Sequence, residues 1–167
     1  MSLVYGVPIL ILAAVLQSVW LEGLDILGGR PDLVLTLVIA WAIIRGMHEG
    51  MVWGFLGGLF CDILSGGPLG LWTVSLTFVT FIVGQPWVNT LGPTSIRLAL
   101  MSAIGTLIGH TLFLALMNLL GYPVSAGRAF AETIGPAALL NFILSPFSFR
   151  FLVWFHQRSL RPRGAGL

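Results

Sequence analysis

The sequence predicts an all-α integral membrane protein with six transmembrane helices, forming a single polytopic domain over residues 1–167. Three observations predict it. Of the 167 residues, 57% are hydrophobic and only 8% charged, whereas soluble domains carry about 25% charged residues; lipid must therefore replace water over most of the surface. Apolar segments recur along the chain, several near the length of about 17–25 residues that a spanning helix needs. Short turns rich in glycine and proline separate them, and those residues punctuate helices. No linker, charge run, low-complexity tract or further repeat divides the chain.

The first segment runs from about Leu3 to Leu21 and gives way to the polar stretch Glu22–Asp32. It has no basic start and no clear small-residue cleavage site, so a retained helix is expected rather than a signal peptide. The second starts at Leu33, with Asp32 as N-cap, and stops at Arg45-Gly46. Its apolar part is short, so its flanks must snorkel or it must sit beside protein. The third runs from Gly50 to Leu64, and Ser65-Gly66-Gly67-Pro68 breaks it. The fourth covers Leu69–Val83, ending near Gly84-Gln85-Pro86. The fifth extends from Ile96 to Leu120, where Gly121-Tyr122-Pro123 stops it. The sixth spans Thr133–Phe155, with Pro136 near its start and Pro146 expected to kink it.

Charge orients these segments, because cytoplasmic loops carry excess arginine and lysine. An even number of spans puts both termini on one side. That side would hold Arg45, Arg97, Arg150, Arg158, Arg161 and Arg163, and the other Arg30 and Arg128. Both termini are thus expected in the cytoplasm. The acids Glu22, Asp25, Asp32, Asp62 and Glu132 would lie outside and Glu49 inside. Scattered arginines read as topology signals and not as a nucleic-acid surface, and the C-terminal group would attract anionic lipid. Trp20, Trp41, Trp53, Trp72, Trp87 and Trp154 lie mostly towards segment ends, as an interfacial belt would have them.

Gly46, Gly50, Gly54, Gly58 and Asp62 follow at intervals of four, which gathers them in one drifting stripe along a helix, widened by Gly57. Within a membrane, small residues let another backbone approach closely. A helix of this chain or of a partner is expected against Gly50, Gly54, Gly57 and Gly58. Asp62 ends the stripe. Its carboxylate is expected either among headgroups and water, or accepting bonds from amides of the Ser65–Gly70 turn or from Arg30, with Asp32, Pro68 and Gly70 shaping the same end.

Two runs carry a resemblance: Pro31-Asp32-Leu33-Val34-Leu35, and Gly54 through Gly66 (GFLGGLFCDILSG) followed by Pro68-Leu69-Gly70. In this ordered combination the sequence resembles the MreD family, the rod shape-determining membrane proteins of bacteria. The resemblance implies a non-enzymatic inner-membrane scaffold of the cell-elongation machinery. It implies association with MreC, a single-span protein, and through it a link between MreB filaments and the RodA–penicillin-binding-protein peptidoglycan synthase. A fold similar to the substrate-binding subunits of energy-coupling-factor vitamin transporters is implied as well. Such a transporter subunit is the rival function, with Ala14 and Ser18 as a slender docking face.

Catalysis, metals and cofactors find little support in the residues. All eight basic residues are arginine, so Schiff-base chemistry and serine–lysine dyads are excluded. Cys61 is the single cysteine and can form no intrachain disulfide. His48, His110 and His156 are isolated, without metal-ligand spacing. Ser65 with His110 could be imagined as a serine-protease pair, but Ser65 sits in a break between helices. Asp32 and Asp62 lie at helix ends and lack an aspartyl-protease motif. His110 is expected as a neutral histidine bonded to a neighbouring helix, and Gln17, Asn118 and Asn141 as interhelical hydrogen bonders.

Overall fold

The structure, a computed structural model, describes residues 2–19, 28–122 and 124–159. Trp20, Glu22, Asp25, Pro123, Arg161 and Arg163 lie outside the described residues, as do the side chains of His156 and Arg158. The described chain is helical throughout its regular structure: α1 (Ser2–Val19), α2 (Leu33–Arg45), α3 (Met47–Ser65), α4 (Leu71–Val83), a 3₁₀ turn (Pro86–Thr90), α5 (Thr94–Leu119), α6 (Ala126–Ala129), a π-helical turn (Phe130–Ile134) and α7 (Gly135–Ser159). The last three run on as one rod, so the sixth predicted segment begins earlier than expected. Among the described residues two helices, Thr94–Leu119 and Gly127–Trp154, are long and apolar enough to cross a membrane.

Two prolines in this rod are accommodated by different means. A helical proline lacks an N–H and crowds the carbonyl four residues back. Just before Pro136 the hydrogen bonding slips to a wider pattern, and the Gly135 amide bonds the Phe130 carbonyl. At Pro146 the helix continues, because the Ser145 hydroxyl donates to the Phe142 carbonyl at 3.1 Å, the acceptor that the proline leaves without its amide.

α2 is the centre of the bundle. Its residues Val34 to Ala42 are all buried, and α1, α3, α4, α5 and α7 all contact it. A helix apolar on every side must be covered on every side. Of the two accommodations open to so short a segment, the chain uses the second: α2 sits inside protein. The exterior is apolar instead, with Leu12, Ile63, Leu119, Leu139 and Phe147 all more than half exposed; so large an apolar surface needs a non-aqueous neighbour.

The tryptophan belt is only partly present. Trp87 and Trp154 are about half exposed, but Trp41 and Trp53 are buried and stack on each other at 4.3 Å. Both lie in the bundle interior, Trp41 because α2 is enclosed and Trp53 because it is on the face of α3 that packs inward. Trp72 is half-buried against Phe113 and His110.

α3 and α4 make the most extensive helix pair, and glycine permits it. A Cβ at Gly54 would fall 2.8 Å from the Leu76 carbonyl oxygen, and one at Gly58 2.6 Å from that of Trp72. Gly57 instead faces Val34 and Val38, and Gly50 faces Ala42. All four glycines are buried within this chain, so none is open to a partner helix. Gly46 does not belong to the stripe: it stands between α2 and α3 at φ 84°, a left-handed value that lets the chain reverse there. Gly58→Ala should therefore lower stability in detergent by about 1–3 kcal/mol. Gly127→Ala, whose Cβ meets nothing within 4 Å, should leave the melting temperature unchanged or slightly raised. A Gly58→Ala protein that melts with the wild type would show that α3 and α4 are not in close contact.

Candidate functional site

Two buried aspartates organise the end of the bundle where α3 passes into α4 and the 28–32 segment enters α2. Asp62, 1% exposed, lies in the last turns of α3. Its Oδ2 accepts from the Gly70 amide (2.9 Å), the Thr73 amide (3.0 Å) and the Thr73 hydroxyl (2.6 Å), and its Oδ1 from the Trp72 amide (2.9 Å). Helix N-termini leave their first amides without intrahelical partners. Gly70, the N-cap of α4, has no side chain to supply one, so the cap comes from the neighbouring helix. The negative charge also meets the positive end of the α4 dipole. Arg30 forms no ion pair with it; among the described residues the one ion pair is Arg45–Glu49 at 2.8 Å.

The turn between them is closed locally. The Ser65 hydroxyl donates to the Asp62 carbonyl (3.1 Å) and accepts from the Gly67 amide (3.4 Å). It is thereby occupied as a turn group. Gly70 takes φ 101°, which any side chain would resist. Pro68, half-buried in the turn, has no amide to offer the carboxylate.

Asp32, 4% exposed, caps α2: its Oδ1 accepts from the Leu35 amide at 2.9 Å. Its own amide donates to Asn141 Oδ1 on α7 (2.8 Å), whose Nδ2 donates to Thr106 Oγ1 on α5 (2.9 Å). The Thr106 hydroxyl in turn donates to the Ser102 carbonyl (2.7 Å). Gln17 on α1 accepts from the Val34 amide at 3.0 Å. These bonds together tie α1, α2, α5 and α7. His110 bonds the Thr106 carbonyl of its own helix (3.1 Å) rather than a neighbouring one, and meets α4 only through the edge of Trp72. Asn118 also bonds locally, to the Leu114 carbonyl and the Val124 amide.

Above these groups opens a cavity of about 460 Å³, lined by Ala14, Gln17, Asp32, Trp72, His110 and Phe113 among others. Ala14, expected on an outward docking face, is 2% exposed and forms part of this wall. Sequence reasoning singled out Asp32, Gln17 and His110 separately and missed their convergence, which depends on α1, α2 and α5 meeting. Among the described residues no three His, Cys, Asp or Glu side chains come together as a metal site.

An all-helical bundle with an apolar exterior, its helices capped and cross-linked by buried polar groups, is the architecture of a membrane protein. The chain belongs to the MreD family: that family's sequence model, described as rod shape-determining protein MreD, matches residues 2–157. No curated protein and no solved structure matches the chain.

The two oxygens of Asp62 carry unequal loads, which ranks its substitutions. In Asp62→Asn an amide oxygen at the Oδ2 position still accepts three bonds, while the NH₂ faces the Trp72 amide; a loss of about 1–2 kcal/mol is expected. Asp62→Leu leaves every donor unsatisfied and should cost at least about 3 kcal/mol, read as detergent melting temperature. Equal destabilisation by both would mean that charge, not hydrogen bonding, is what the turn needs.

Proposed function

We propose that this chain is a non-enzymatic scaffold of the bacterial rod complex, seated in the inner membrane and binding an MreC-like single-span protein. The observation that supports it most is the family match over residues 2–157. Through that partner it would help to couple MreB filaments to peptidoglycan synthesis by RodA and its penicillin-binding protein, and so to cell shape. Six spans with both termini in the cytoplasm would put Arg45, Arg97 and Arg150 on the cytoplasmic side, in keeping with the excess of arginine that cytoplasmic loops carry.

A scaffold of this kind works by rigidity. The glycines of α3 pack helices of the same chain, so their part in partner binding is indirect: they hold α3 and α4 in register, and the partner's helix meets an outer, apolar face. Helix association in lipid depends on such shape matching, because the hydrophobic drive is absent there.

Co-expressed with an MreC-like partner, the chain should form a detergent-stable complex that survives affinity purification, and a partner lacking its transmembrane helix should not be retained. Failure of the full-length partner to copurify would remove the basis for the scaffold. Orientation is tested by reporter fusions: one after Gly121 should report the outside and one at the C-terminus the cytoplasm. A C-terminus accessible from outside would reverse every loop.

A further inference from the structure

The 460 Å³ cavity falls in the range of about 300–1,000 Å³ typical of small-molecule sites, which pair apolar walls with a few convergent polar groups. Trp72 and Phe113 supply the aromatic wall, stacked at 4.5 Å. Asp32 and His110 supply polar groups.

Those polar groups are acceptors. The partner of His110 Nδ1 is a carbonyl oxygen, which can only accept. Nδ1 therefore carries the proton, and in the neutral ring Nε2 is left as an acceptor. Asp32 accepts from the Leu35 amide, whereas four donors satisfy Asp62. No cation lies within ion-pair distance of it among the described residues. A buried carboxylate without a paired cation is costly, and an ionisable group inside a membrane bundle marks a functional site by default. Arg30 also lines the cavity but is exposed, placed to meet an anionic group of a ligand whose cationic end goes deeper.

We propose that this cavity binds the primary ammonium of a small amphiphile, the ammonium donating to Asp32 and His110 and the apolar body lying against Trp72 and Phe113. Three N–H donors on an ammonium meet the acceptor-rich floor, and its charge supplies the cation that Asp32 lacks. Two sources carry this chemistry: the headgroup of an aminophospholipid, or a water-soluble aromatic amine. The site neither needs nor implies transport.

Native mass spectrometry of the full chain tests it. The protein is released from nanodiscs of phosphatidylglycerol and phosphatidylcholine, with or without phosphatidylethanolamine, and separately titrated with 2-phenylethylamine. The expected result is one bound phosphatidylethanolamine, enriched at least about tenfold over the two other lipids; binding of 2-phenylethylamine instead would assign the soluble source. Asp32→Asn keeps an N-capping side chain for α2 and should lose this preference while melting close to the wild type. Ala137→Phe, which adds bulk to the cavity wall and leaves Asp32 in place, should lose the adduct too and answers the question if Asp32→Asn fails to fold. Absence of both amines from the wild type, or equal retention by Asp32→Asn, would overturn the proposal.

Discussion

Asp62 sits inside an apolar bundle with four donors on its two oxygens, three of them backbone amides at the start of α4. Moving a carboxylate out of water is unfavourable unless hydrogen bonds replace the lost hydration. Here they do, and the same bonds satisfy amides that the helix cannot pair within itself. Each partner removes the other's penalty. With α4 held against the end of α3, Gly54 and Gly58 can bring the two backbones together along the rest of their length. The hairpin then forms a wall on which α2 packs, and α2 in turn is covered by α1, α5 and α7.

Polar bonds make the second level of organisation. The chain from Asp32 through Asn141 and Thr106 to Ser102 links segments more than a hundred residues apart, and Thr36 with Ser148 adds a further cross-link at 3.1 Å. In lipid such bonds contribute roughly 1 kcal/mol each or less, so their effect is on register more than on total stability. They fix how α7 lies against α2 and α5, and that placement creates the cavity. The two aspartates do different things: Asp62 is saturated by a helix terminus, and Asp32 lines the cavity.

Much of this was legible in the sequence. Glycine and proline placed most helix ends within a few residues, although the last rod starts at Ala126 and not near Thr133, and Asn141 read correctly as an interhelical bonder. Depth was not legible. α2 reads as a short spanning segment, and only the assembled bundle shows it to be enclosed. Trp41 and Trp53 read as interfacial for the same reason: position along a segment says where a residue lies along the helix, not which way it faces across the bundle. The interval-four glycines indicated a contact face but could not say whose helix would fill it, because the same spacing serves both an internal and an external neighbour. His110 reads as a ring bonded to a neighbouring helix; its bond within its own helix and its place beside Asp32 in the cavity wall are not legible, since they require α2 and α5 to meet.

The account rests on the carboxylate of Asp62 replacing intrahelical partners at the start of α4, and amide hydrogen exchange reads that directly. In the membrane-reconstituted wild type the amides of Gly70, Trp72 and Thr73 should exchange as slowly as those of buried α2, although first-turn amides are ordinarily unprotected. Rapid exchange of all three, with α2 still protected, would contradict it.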